Sequence, residues 1–128
     1  MYVPAVEPKR MAQQVAGARI AFGLAFMTMP GWTGRVWIGR DADRHAVKLL
    51  TQAIGARDLT MGLGALIAMR QGKPARGWFE AISLTDALDF TCAVLAKGVL
   101  PPAQRGMVMA LAGGSAALAA YASTGFVD

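Results

Sequence analysis

From residue 106 to residue 127 the chain carries no charged residue, and glycine and alanine dominate the run. That single stretch limits what the rest can be. A helix without a charged face is either buried on all sides or lies in lipid. A chain of 128 residues makes one domain, and a soluble helical domain of that size has too little core to enclose one helix completely. Lipid is the reading that satisfies the stretch. Composition agrees: charged residues make up 16% of the chain, against about 25% in ordinary soluble domains.

Proline and glycine divide the sequence into four helical segments, at about residues 12–29, 44–70, 75–97 and 103–123. Pro30-Gly31 ends the first, Gln71-Gly72-Lys73-Pro74 the second, and Gly98 with Pro101-Pro102 separates the last two. About 20 residues cross the hydrocarbon core, and each segment reaches that length. The expected fold is all-α, a four-helix transmembrane bundle forming a single domain over residues 1–128. Before the first segment come Pro4, Glu7, Pro8, Lys9 and Arg10, with no small-residue cleavage pattern after it. The first apolar segment is therefore expected to be a retained helix rather than a signal peptide.

Aromatic residues fall at segment ends. Trp32 and Trp37 follow the first segment, Trp78 opens the third, and Tyr121 and Phe126 close the fourth. Amphipathic rings favour the membrane–water interface. The run WTGRVWIGR (residues 32–40) reads as a short interfacial segment between the first two helices, its tryptophans in the headgroups and Arg35 and Arg40 on phosphates. Orientation has no such marker. The short loops divide Lys and Arg five against six between the two sides, which is no bias for the positive-inside rule. Either partner subunits fix the orientation, or the chain inserts both ways and pairs antiparallel.

Charge within the spans is the feature with chemical content. Arg19 lies near the middle of the first segment, Arg57 and Asp58 near the middle of the second, and Asp86 and Asp89 near the middle of the third. An unpaired charge at mid-membrane costs roughly 2.5–3.5 kcal/mol or more, so the five are expected to face one another. Asp86 and Asp89, three apart, share a helix face. Arg57 and Asp58 point about 100° apart, one toward the third helix and one toward the first. The pairing this suggests is Arg57 with Asp86 or Asp89, and Arg19 with Asp58. The planar guanidinium suits it, because two N–H groups bond one carboxylate. The five charges sum formally to −1, so a proton, a cation or another subunit is needed to balance them. Such a network fixes helix register, forms a polar pocket for a proton, ion or small polar solute, or completes an interface with another protein.

Small residues mark where helices approach. Gly55 and Gly62 lie in the second segment, and Gly106, Ala110 and Gly114 recur every four residues in the fourth. Such rows allow close packing or oligomerisation.

Other chemistry finds little footing. The net charge is +5 with a pI near 10.0, but the basic residues are scattered over short loops with no nucleic-acid motif. Cys92 stands alone in an apolar segment, and the one histidine, His45, lies in a polar stretch. No metal site, cofactor site or nucleophile–base constellation can be assembled, so no catalytic residue is assigned and the chain is not expected to be an enzyme.

The runs ARIAFGLAFMTMPGW (residues 18–32), VWIG (36–39), GARDLTMGLGAL (55–66) and LTDALD (84–89) together resemble a family of small bacterial four-helix integral membrane proteins of unknown function, and more loosely the DoxX-like proteins. The resemblance spans about residues 18–96. It implies a multi-pass protein of the bacterial inner membrane and assigns no activity. Arg19, Arg57, Asp58, Asp86 and Asp89 all match its pattern. The expected role is an accessory or scaffold subunit of a larger membrane complex, or a homo-oligomer, with the lipid bilayer as its surroundings. The alternative is a small transporter or channel-like protein using the Asp86/Asp89/Arg57 pocket.

Overall fold

A computed structural model describes residues 6–127, and the chain over that range is all-helical, with no named strand among the described residues. Five α-helices follow one another: α1 (Pro8–Thr28), α2 (Pro30–Ile38), α3 (His45–Arg70), α4 (Arg76–Leu95) and α5 (Pro102–Ser123). A single 3₁₀ turn, Arg40–Asp43, links α2 to α3. Proline stands at the first helical position of α1, α2 and α5, where its fixed φ fits the helix and its missing N–H is not needed. That placement explains two departures from the sequence expectation. Pro8 starts α1 four residues before the expected start at 12, and Pro30 both stops α1 and opens α2. The linker is therefore a nine-residue helix, closed by Gly39 at a φ of 87° that only glycine adopts freely.

The four long helices alternate in direction. Gly23 lies against Gly55 while Ala16 lies against Gly62, so α1 and α3 run antiparallel. Ser83 bonds to Ala116 and Phe90 touches Gly113, which makes α4 and α5 antiparallel too. α1 also packs on α5, whereas the backbones of α3 and α4 stand farther apart and meet through side chains, Trp78 over Gly64 and Arg57 on Asp89. The α1–α3 approach depends on its glycines. A Cβ at Gly23 would stand 2.6 Å from the Gly55 carbonyl oxygen, and one at Gly62 would stand 2.8 Å from the Ala16 carbonyl oxygen.

The core is unusual in its contents. Its buried apolar side chains are mainly alanines, including Ala12, Ala16, Ala65, Ala119 and Ala122, and the two large ones that are fully buried are Phe79 and Ile82. Phe79 stacks on Phe126 at one end. At the other end Phe22 and Phe26 stack, with Trp37 of α2 edge-on to both at 5.3 and 5.8 Å. Trp37 thus turns inward, contrary to the expected interfacial position, because α2 folds back over the end of α1. Trp32 does remain exposed. Among the described residues, α5 is the helix long and apolar enough to cross a membrane, with a mean hydropathy of 1.3 over its best window.

These contacts predict opposite effects for two glycines. Gly62→Val forces α1 and α3 apart and lowers the stability of the purified protein by about 1–3 kcal/mol. Gly106 has nothing within 4 Å of a built Cβ, so Gly106→Ala raises stability by about 0.5–1 kcal/mol through helix propensity. Thermal unfolding of the two variants measures both.

Candidate functional site

The five charges identified in the sequence do converge, at the mid-height of α1, α3 and α4. Arg19 is the junction. Its Nη1 donates to Asp58 Oδ1 at 2.9 Å, and its Nη2 donates to Asp86 Oδ2 and to Ser115 Oγ, the latter at 3.1 Å. One guanidinium therefore ties α1 to α3, α4 and α5 at once. Arg57 forms the second half. Its Nη1 and Nη2 donate to Asp89 Oδ1 and Oδ2 at 3.1 and 2.8 Å, a bidentate pair, and its Nε reaches Asp58 Oδ1 at 3.3 Å.

Arg19 pairs with Asp58 and Arg57 with Asp89, as expected, and one further bond joins them: Asp86, the alternative partner of Arg57, takes Arg19 instead. Three residues along a helix leave about 60° between side chains. That is enough to turn Asp89 toward α3 and Asp86 toward the α1–α5 side. Burial follows the same split. Asp58, Asp86 and Arg19 are buried, while the side chains of Arg57 and Asp89 remain 36% and 31% exposed. The cluster thus has a closed end and an open end.

Ser115 was not singled out by sequence reasoning, which placed α5 away from the charges. A signal was present, because Ser115 is the one hydroxyl in the apolar stretch from residue 106 to residue 120. Ser83 on α4 similarly donates to the Ala116 carbonyl at 2.8 Å and closes the α4–α5 seam beside it.

The packing residues divide. Gly55 and Gly62 sit in the α1–α3 contact. Gly106, Ala110 and Gly114 lie exposed, and Gly106 and Gly114 have no neighbour within 4 Å of a built Cβ among the described residues. Ala110 and Gly114 border the cavity beside the network. The face of α5 that is buried carries Val108, Ala112, Ala119 and Ala122 instead.

Beside the network lies a cavity of about 750 Å³, bordered by α1, α3, α4 and α5 and closed at one end by Trp37 and Ile38. All five charged residues and Ser115 line it, with Phe22, Leu111 and Leu118 among its apolar walls. Its size falls in the range of small-molecule sites, which are mostly apolar with a few convergent polar groups. Cys92 is on its rim and His45 lies exposed far along the chain at the start of α3. Among the described residues, no group of three His, Cys, Asp or Glu side chains is placed to hold a metal ion.

Compared with family models, with curated proteins and with solved structures, the chain matches none.

The network makes a contrast between two of its members testable. Arg19→Met leaves Asp58 and Asp86 facing each other without their shared cation, and stability falls by about 3–5 kcal/mol. Ser115→Ala removes one neutral hydroxyl acceptor and costs only about 0.5–1.5 kcal/mol. Unfolding midpoints of the two variants against the parent chain decide the point.

Proposed function

We propose that the chain is a small multi-pass protein of the bacterial inner membrane. In this reading α1, α3, α4 and α5 form a four-helix transmembrane bundle, with α2 as the interfacial segment. One observation carries the reading: polarity is inverted relative to a soluble protein. Asp58 and Asp86 are 1% and 3% exposed, whereas Leu84, Leu88 and Leu95 are 62%, 56% and 78% exposed. In water that arrangement buries carboxylates and leaves leucine in contact with solvent, both unfavourable. In lipid the outward leucines cost nothing, and the inward charges satisfy one another.

Further support comes from length. The four long helices have 21, 26, 20 and 22 residues, which at 1.5 Å per residue is about 30 Å or more, the thickness of a hydrocarbon core. α1, α3 and α4 owe their lower hydropathy partly to charges that turn inward. The resemblance over residues 18–96 points the same way.

Within the membrane the role is non-catalytic. The chain acts as an accessory or scaffold subunit, or as a homo-oligomer, with Arg19 and Arg57 holding the helices in register. The row Gly106, Ala110 and Gly114 is exposed on α5, with Ala110 and Gly114 bordering the cavity, and offers the close approach that a helix of another subunit requires. A second reading, a small transporter or channel-like protein, is favoured by the cavity that all five charged residues line.

Fractionation tests the proposal. The chain, expressed in bacteria, stays with the membranes through an alkaline wash and leaves them only in detergent. Light scattering of the detergent-solubilised protein then gives more than one copy, or copurifies a stoichiometric partner. Recovery in the soluble fraction without detergent overturns the membrane assignment, and a lone monomer in detergent overturns the scaffold role in favour of the second reading.

A further inference from the structure

The division of charge inside the network says what the cavity can hold. Arg57 takes both carboxylate oxygens of Asp89, and its Nε also reaches Asp58 Oδ1 at 3.3 Å. Arg19 is shared by two carboxylates, Asp58 and Asp86. Asp89 has both oxygens on one guanidinium while Asp58 and Asp86 share Arg19, so the formal excess of one negative charge lies toward Asp58 and Asp86 rather than Asp89. Each uses one oxygen: Asp58 accepts through Oδ1 and Asp86 through Oδ2. Among the described residues no donor reaches Asp58 Oδ2 or Asp86 Oδ1, and no fully buried side-chain oxygen lacks a partner. Those two oxygens consequently keep some exposure, and both residues line the cavity.

The geometry points to a lipophilic organic cation as the ligand of this cavity, its positive centre facing Asp58 and Asp86 and its apolar body lying against Phe22, Leu111 and Leu118. The inference rests on the membrane reading, since the bilayer is the medium from which such a molecule enters. Three properties select this class. The residual charge is negative, and in a low-dielectric site it attracts a cation strongly and repels an anion. The walls are mainly apolar, which disfavours a strongly hydrated inorganic ion that needs several oxygen ligands. The volume, about 750 Å³, suits a molecule of drug size rather than a single ion.

Tetraphenylphosphonium and tetraphenylborate give the direct test, because they share shape and apolar surface and differ in the sign of their charge. Each is titrated calorimetrically into the full chain in lipid nanodiscs, with empty nanodiscs subtracted. The expected result is saturable binding of one tetraphenylphosphonium per chain and none of tetraphenylborate. Asp86→Asn removes the excess charge while leaving Arg19 bonded to Asp58, and weakens binding at least tenfold. Ala18→Phe, on the α1 wall of the cavity, leaves every charge in place and fills the cavity, and abolishes binding with the thermal unfolding midpoint retained. Equal saturable binding of both ions overturns the charge argument. Undiminished binding to Ala18→Phe overturns the site. A folded, membrane-embedded chain with no saturable cation binding overturns the inference alone, and assigns the cavity to a lipid chain or a second copy. A chain recovered in the soluble fraction overturns the membrane reading first, and the ligand with it.

Discussion

One guanidinium shared between two carboxylates sets the terms for the whole structure. Arg19 projects from α1 and bonds Asp58 of α3, Asp86 of α4 and Ser115 of α5. Every long helix must bring a polar group to the same height and the same side for this to form. A buried ion pair adds little net stability against a well-packed apolar alternative, but leaving one partner alone is costly. On the proposed reading the network acts chiefly as a register device. Helices slid by one turn, or rotated by a quarter turn, would leave a carboxylate or a guanidinium unpaired.

The packing around the network follows from that requirement. Bonds between side chains on four helices need short spans, so α1 and α3 must approach closely, and Gly23, Gly55 and Gly62 make the approach possible. The same demand leaves little room for large side chains inside, which is why alanine fills most of the core and leucine is displaced outward. In lipid, dispersion contacts through small residues hold helices together in place of the hydrophobic effect. Where α3 and α4 part, the space is not filled, and the cavity opens there with Arg57 and Asp89 at its edge.

Much of this was legible in the sequence, and what was missed has a common cause. Proline and glycine mark the helix ends, and counting residues gives the depth of each charge, so the convergence of Arg19, Arg57, Asp58, Asp86 and Asp89 could be expected. Depth is one coordinate. Rotation about each axis and the order of neighbours are not encoded in spacing. That Asp89 is the one to meet Arg57, and Asp86 meets Arg19, follows from a rotation of about 60°. The contribution of Ser115 follows from α5 lying next to α1. The row Gly106, Ala110 and Gly114 shows the same limit, because a small-residue period marks a face without saying what covers it. Trp37 departs for a local reason: the segment expected between the first two helices is itself a helix opened by Pro30, and it carries the indole back onto Phe22 and Phe26.

The central claim is a charged interior within an apolar shell that faces lipid, and the most direct measurement is the environment of that shell. A spin label placed singly at Leu84 or Leu88, near the mid-height of α4, reports collision with dissolved oxygen, which concentrates in lipid, and with a water-soluble nickel chelate, which stays out of it. The account predicts labels at both sites that are accessible to oxygen and shielded from nickel, while a label at the exposed His45 shows the reverse. Nickel accessibility at Leu84 and Leu88 equal to that at His45 would contradict it.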